Sequence, residues 1–85
     1  MNAKHILIVE DEQPIREMVA FALTNAGYDA REAADARQAQ VRIAERLPDL
    51  VLLDWMLPGI SGIDYARRLK KEELTRELPI IMLTA

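Results

Sequence analysis

The fold of this chain depends on the stretch Asp49-Leu50-Val51-Leu52-Leu53-Asp54-Trp55-Met56-Leu57-Pro58-Gly59. Its aliphatic run, residues 50–53, has no polar face and is bounded by proline on both sides. Such a short run predicts a strand buried on both sides, in the middle of a parallel sheet. Asp54 follows the run and therefore lies at the carboxyl end of the strand, where open α/β sheets bind ligands. An aspartate that only starts a turn is the alternative at this point.

The composition limits the classes of function open to the chain. Its 85 residues suffice for one small domain, and 51% hydrophobic with 29% charged residues is typical of a globular one. A net charge of −3 argues against nucleic-acid binding by this segment itself. The absence of cysteine excludes disulfides and thiol chemistry. No apolar run resembles a signal peptide or a membrane span, so we expect a cytoplasmic protein.

Strand and helix patterns alternate along the sequence. Apolar or β-rich runs predict strands, at residues 6–9, 28–33, 50–53 and 79–84. Helical periodicity with start and stop signals predicts helices between them, at residues 14–25, 36–46 and 63–71. Charges on the second strand suit an edge position. The order βαβαβαβ implies a parallel sheet with right-handed crossovers.

Each predicted helix has an apolar face at helical spacing, which we expect to pack on the sheet. In the first helix this face leaves out Arg16 and consists of Ile15, Met18, Val19 and Ala22. The apolar residues of the second are Ala36, Ala39, Ile43 and Leu47. Those of the third are Ile63, Ala66 and Leu69. We expect a turn with two glycines at residues 58–62 and a polar loop at residues 72–78.

Polar residues follow three of the predicted strands. Glu10 and Asp11 follow the first, Asp54 follows the third, and Thr84 ends the fourth. The carboxyl ends of parallel strands meet at one edge, so we expect these residues to converge. Three carboxylates in one pocket repel one another unless a cation is bound, and their oxygens suit Mg²⁺ or a similar divalent cation. A backbone carbonyl in the Trp55-Met56 turn is a further candidate ligand.

Such a site would give Asp54 a chemical task. An aspartate carboxylate can attack phosphorus and form an acyl phosphate, while a bound metal neutralises the transferring group. The hydroxyl of Thr84 would be placed to donate to a phosphoryl oxygen. Taken singly, Glu10-Asp11 is as well explained by a solvated turn, and Thr84 by strand propensity. The joint placement favours a phosphoacceptor site that depends on a divalent metal.

Three segments resemble the receiver domain of two-component response regulators. They are Ile8-Val9-Glu10-Asp11-Glu12, Leu52-Leu53-Asp54-Trp55-Met56-Leu57-Pro58-Gly59-Ile60-Ser61-Gly62 and Pro79-Ile80-Ile81-Met82-Leu83-Thr84-Ala85. The resemblance implies a three-layer, flavodoxin-like α/β fold with a parallel sheet of strand order 2-1-3-4. It implies that Asp54 is the phosphoacceptor and Thr84 the switch hydroxyl. The Mg²⁺ ligands it implies are Glu10, Asp11, Asp54 and the Met56 carbonyl.

The same resemblance implies partners and a role. The phosphoryl donor would be a sensor histidine kinase, and the output would be transcription regulation through a separate, absent C-terminal DNA-binding domain. The chain would be a regulatory phosphoacceptor and not an enzyme, although it would take part in its own phosphorylation.

The carboxyl end departs from the family pattern, since the sequence stops one residue after Thr84. The family's fourth helix, fifth strand with its lysine, and fifth helix are not in it. We therefore expect residues 1–85 to be a single truncated receiver domain that lacks the fifth βα unit. The bare edge of the fourth strand, residues 80–83, predicts pairing with a second copy as a homodimer or larger assembly.

Two other functions remain open at this stage. A phosphohydrolase of the haloacid dehalogenase type also uses a strand-end aspartate with Mg²⁺. That family has a second aspartate two residues further on, where this chain has Met56. The other possibility is an interaction fragment that folds but accepts no phosphoryl group.

Overall fold

The computed structural model describes residues 3–83, in which a parallel sheet carries helices on its faces. The elements, in chain order, are β1 (His5–Val9), α1 (Gln13–Asn25), β2 (Asp29–Ala33), α2 (Ala36–Glu45), β3 (Leu50–Asp54), β4 (Met56–Leu57), β5 (Ile60–Ser61), α3 (Gly62–Lys71) and β6 (Ile80–Leu83). The parallel sheet has the order β2-β1-β3-β6, with β6 as its fourth strand in sequence. The predicted order 2-1-3-4 is thus confirmed.

The strand register determines where the polar strand ends lie. Ile8 of β1 is opposite Glu32 on one side and Leu52 on the other. Asp54 is the last residue of β3, opposite Leu83 of β6, so it belongs to the strand rather than following it. All predicted helices and strands are present with bounds close to those expected, except that Thr84 lies outside the described residues.

A short antiparallel hairpin, β4 with β5, stands where the sequence predicted only a turn. Leu57 pairs with Ile60, which leaves Pro58 and Gly59 as the connecting residues. Gly59 has φ of 82°, a conformation that a proline-glycine turn of type II requires and that glycine adopts without strain. The hairpin leads directly from the end of β3 to the start of α3.

The hydrophobic core lies between the sheet and the pair of helices α2 and α3. The chain moves from β1 to β2 at one edge of the sheet and then back past β1 to β3. Because both crossovers are right-handed but run in opposite directions across the sheet, α1 lies on one face and α2 on the other. The buried cluster draws on the sheet, α2, α3 and the segment before β6, and its members are Leu7, Val9, Ala33, Ala39, Ile43, Val51, Leu53, Tyr65, Leu69 and Leu78.

Burial of the strands differs in part from expectation. Every residue of β1 is buried, as expected for a strand covered on both sides. In β3 only Val51 and Leu53 are buried, whereas Leu50 and Leu52 are half-buried. The prediction that β3 is buried on both sides was therefore wrong. The face of β3 that carries Leu50 and Leu52 is covered only incompletely by α1.

The inward faces of two helices were predicted incorrectly in part. In α1 the more buried positions are Arg16, Val19, Ala20 and Leu23, whereas Ile15, Met18 and Ala22 are exposed. The helix is turned so that the Arg16 side chain bonds the sheet. In α3 the fully buried residues are Gly62, Tyr65 and Leu69, and the predicted Ile63 and Ala66 are only half-buried.

The end of α2 and the segment after α3 also differ from the prediction. Leu47 is exposed because α2 ends at Glu45, before it. Residues 72–78 are mainly polar, yet Thr75 and Leu78 are buried. The Thr75 hydroxyl donates to the Leu69 carbonyl at 2.6 Å and so satisfies a free carbonyl at the end of α3. Across residues 3–83, none of the helices has the length and apolar character needed to cross a bilayer.

Candidate functional site

Three carboxylates converge at the carboxyl edge of the sheet. Glu10 and Asp11 follow β1, and Asp54 ends the neighbouring strand β3. One carboxylate oxygen from each of the three lies within 4.8 Å of the others. Glu10 is buried, Asp54 is half-buried and Asp11 is exposed. The structure thus brings together three of the residues singled out in the sequence, while Thr84 lies outside the part of the chain it describes.

Glu10 is the most constrained member of this cluster. Its backbone N–H donates to the Ala33 carbonyl at 3.0 Å, which extends the β1–β2 ladder by one residue. Its carbonyl accepts from Nη1 of Arg16 at 2.9 Å. Its carboxylate oxygen Oε2 accepts from the backbone N–H of Glu12 at 3.1 Å. Backbone and side chain are therefore both held before any ligand binds.

The electrostatics of the cluster favour an added positive charge. Burial raises the pKa of Glu10 from 4.5 to about 7; the Glu12 hydrogen bond lowers this pKa, while nearby Asp54 and Asp11 raise it further. The raised pKa means that the ionised cluster is insufficiently compensated at neutral pH. A proton or a cation restores the balance, and oxygen ligands in this arrangement fit a hard divalent cation.

The three acids share an open cleft of about 510 Å³ with apolar side chains. Its remaining lining residues come from the first half of α1 and the residue before it, from the segment that joins β3 to β4, and from the end of β6. They are Glu12, Ile15, Val19, Trp55, Met56 and Leu83. Apolar walls strengthen electrostatic interactions inside the cleft because they lower the local dielectric constant. Trp55 lies next to Asp54 on this wall, which makes it a natural fluorescent reporter.

Gly62 allows α3 to start directly against the end of β3. Its backbone N–H donates to the Trp55 carbonyl at 2.7 Å, and a Cβ atom built on it would overlap the Asp54 carbonyl oxygen. Ser61 caps the helix, its hydroxyl accepting from the Asp64 N–H at 3.1 Å. Sequence reasoning missed this role of Gly62 and the contact of Arg16 with Glu10. Glycine directly after a capping serine was the available signal for the former.

Residues 6–85 match the family described as the response regulator receiver domain. The chain belongs to this family, a regulatory one, as the motifs around Glu10, Asp54 and Met82 indicated.

The relatives specify the branch of the family. The chain is 64% identical, over 85 residues, to the phosphate regulon transcriptional regulatory protein PhoB of Pseudomonas aeruginosa. It is 54% identical over 83 residues, 98% of its length, to PhoB of Escherichia coli. It spans 37% and 36% of the lengths of these relatives.

Solved structures agree with the fold. The N-terminal domain of a response regulator receiver protein from Methanoculleus marisnigri superposes with a TM-score of 0.91 at 33% identity, over 95% of this chain and 66% of that one. The chemotaxis response regulator CheY4 of Vibrio cholerae superposes with a TM-score of 0.89 at 28% identity, over 95% of this chain and 68% of that one.

Proposed function

We propose that the chain accepts a phosphoryl group on Asp54 from a sensor histidine kinase, in a reaction that depends on Mg²⁺. The residues proposed to hold the ion are Glu10, Asp11, Asp54 and the backbone carbonyl of Met56. Thr84 is proposed as the hydroxyl that senses the phosphoryl group. The observation that carries this proposal is the convergence of three carboxylates within 4.8 Å at the strand ends of a receiver fold.

The donor set matches the proposed ion. Mg²⁺ takes one or two carboxylates, keeps several waters and leaves room for a phosphoryl oxygen. Asp11 and Asp54 line an open cleft together with Glu10, a buried residue whose carboxylate accepts from the Glu12 N–H. Burial raises the pKa of Glu10, and the nearby carboxyl groups of Asp54 and Asp11 raise it further, so a bound cation would favour the ionised form of the cluster.

The chemistry of the step assigns a task to each residue. A carboxylate oxygen of Asp54 forms a bond to phosphorus, and the bond from phosphorus to the kinase histidine nitrogen breaks with its electron pair leaving on that nitrogen. A bound divalent cation neutralises the negative charge on the transferring group. The half-buried position of Asp54 on an open cleft lets a donor reach it.

The proposed biological role follows the similarity to PhoB, whose name identifies a transcriptional regulator of the phosphate regulon. Phosphorylation of Asp54 would then control transcription through a DNA-binding domain at the carboxyl side, in the cytoplasm. The dehalogenase-type alternative needs a second acid at position 56, where the side chain is an exposed methionine.

Self-association is a second part of the proposal. Among residues 3–83, β6 pairs with β3 on one side only, and Ile81 on it is exposed. A groove of about 520 Å³ adjoins this edge. Its floor is apolar and its lining also includes three cationic residues, and the residues that line it are Ile63, Ala66, Met82, Arg67, Lys70 and Lys71. An unpaired apolar edge strand is a template for another strand, and we propose a second copy of the chain as its occupant.

Phosphorylation of Asp54 is tested by incubating the chain with Mg²⁺ and a small acyl-phosphate donor and measuring the intact mass. The wild-type chain is expected to gain one phosphoryl group, and Asp54→Asn is expected to gain none. Asp64→Asn, which changes an exposed aspartate of α3, is the matched control and should behave like wild type. Equal labelling of Asp54→Asn and wild type, or labelling undiminished by a chelator, would contradict the proposal.

Edge pairing is tested by light scattering of the chain over a range of concentrations. We expect a mass that rises with concentration, and we expect Ile81→Lys to reduce this rise because a charge on an edge strand opposes pairing. A monomer at high micromolar concentration would contradict self-association and would leave the phosphoacceptor proposal unaffected.

A further inference from the structure

Arg16 connects three elements behind the acidic cluster. Its side chain is only 15% exposed. Nη1 donates to the backbone carbonyl of Glu10 at 2.9 Å, and Nε donates to Oε1 of Glu32 at 3.1 Å. A single side chain of α1 therefore bonds both the residue that directly follows β1 and a residue of the neighbouring strand β2.

Glu32 is a firm anchor for this arginine. It lies opposite Ile8 in the β1–β2 ladder, and its own carbonyl accepts from Nε of Arg42 at 3.2 Å. Arg42 comes from α2, on the other face of the sheet, so the backbone of Glu32 is held both by the ladder and by this bond, while its carboxylate accepts from Arg16. The guanidinium of Arg16 is thereby fixed in direction, which a planar group with several fixed donors achieves better than a lysine ammonium.

The contact with Glu10 acts on its backbone and not on its carboxylate. The Glu10 N–H is already bonded to Ala33, so Arg16 fixes the peptide on the other side of the same residue. With both peptide groups held, only side-chain rotation remains, and the Glu12 N–H restricts that as well. The direction in which the Glu10 carboxylate points is thus determined before a cation arrives.

We propose that Arg16 is a positioning residue for the divalent-cation site, with Glu32 as its anchor. The inference rests on the proposed function, because it assumes that Glu10 is part of a cation site. Outer groups that orient metal ligands typically contribute about 10- to 100-fold in metal affinity. Arg16 contributes by keeping Glu10 aligned with Asp11 and Asp54 when no ion is bound.

The alternative role for Arg16 is to dock α1 onto β2 through its ion pair with Glu32. The chain offers a control for this role, since Arg46, which directly follows α2, pairs with Asp29 of β2 at 2.8 Å. That pair lies at the opposite end of β2 and does not touch the acidic cluster. Arg46→Met removes another arginine–carboxylate ion pair to β2, a more exposed one, and leaves the contacts of Glu10 intact.

The first measurement is a Mg²⁺ titration of the chain followed by Trp55 fluorescence. We expect Arg16→Met to weaken Mg²⁺ binding by about tenfold or more. Arg16→Lys should recover part of the loss, because one ammonium can reach Glu10 or Glu32 but not hold both. Arg46→Met should bind Mg²⁺ like wild type. Affinities of Arg16→Met and wild type that agree within twofold would overturn the inference.

The second measurement is amide hydrogen exchange without metal, which stays informative whatever the cation affinity. Arg16→Met should speed exchange at the N–H groups of Glu10 and Glu12. It should leave the Val51 N–H, which donates to the Pro79 carbonyl at 3.0 Å, unchanged. Equal acceleration at all three amides would show a general docking role and overturn the inference. A wild-type chain that does not respond to Mg²⁺ would overturn the proposed cation site itself, and the exchange data would still decide whether Arg16 orders Glu10.

Discussion

The two faces of the sheet are built differently. On the face covered by α2 and α3, Leu53, Tyr65 and Leu69 are completely buried. On the face covered by α1, the helix has no buried residue, and Met18 and Phe21 are 64% and 69% exposed. Side chains alternate along β3, so Leu53 points to the first face, whereas Asp54 shares the second face with Leu52. A packed framework on one side therefore positions an accessible acid on the other.

Leu53→Ala is expected to have the largest effect on stability. It should lower the free energy of unfolding by about 3–5 kcal/mol, because it opens a cavity in the closely packed face. Leu52→Ala, one residue earlier and half-buried on the other face, should cost about half as much. Urea denaturation of the two variants measures both values. Equal losses would show that the faces are equally well packed.

Glu10→Gln tests whether the buried carboxyl group at the edge of the sheet makes the stability depend on pH. The folded-state pKa of about 7 exceeds the ordinary value of 4.5, so the folded state binds more protons between these pH values. Stability should therefore fall as pH rises from about 4.5 to 7. Glu10→Gln should remove most of this fall, and saturating Mg²⁺ should reduce it in the wild-type chain.

Thermal unfolding across this pH range provides the measurement for Glu10. Glu77→Gln, which changes an exposed glutamate, is the control and should keep the wild-type pH dependence. An unchanged pH dependence in Glu10→Gln would contradict the assignment of the raised pKa to this residue.

Gly62→Ala tests how closely the start of α3 approaches the backbone of Asp54. Alanine normally stabilises a helix relative to glycine. At this position the added methyl group overlaps the Asp54 carbonyl, so we expect a loss of about 1–3 kcal/mol, as for an overpacked core. The Mg²⁺ response of Trp55 should weaken as well. A more stable variant in urea denaturation would show that the contact at Gly62 is loose.

Met18→Gln should have the smallest effect, because the side chain is on the incompletely covered face. We expect a change in the free energy of unfolding within about 0.5 kcal/mol, as for other surface substitutions. A loss above about 1 kcal/mol would show that this face is covered in solution, and light scattering of the same variant would show whether a second copy covers it.

Much of the candidate site was predictable because its signals are local. The runs of residues 6–9 and 50–53 each end in acids, and parallel strands bring such ends together whatever the details of packing. Glu10, Asp11 and Asp54 therefore needed only a correct strand order. For Gly62 the sequence offered only its position after a capping serine, because its importance depends on one carbonyl oxygen of Asp54 that approaches it across the start of α3.

The sequence by itself determined the alternation of elements, the parallel sheet and the carboxylates at its edge, since short apolar runs and their flanking prolines and glycines specify strands locally. Only the tertiary structure decided which side of α1 turns inward. The predicted stripe with Ile15 and Met18 and the inward stripe with Leu23 overlap at Val19, so periodicity alone does not separate them. The bonds of Arg16 to Glu10 and Glu32 favour the inward stripe. Sequence patterns do not reveal these bonds, because Glu32 is 16 residues away and the acceptor on Glu10 is a backbone carbonyl.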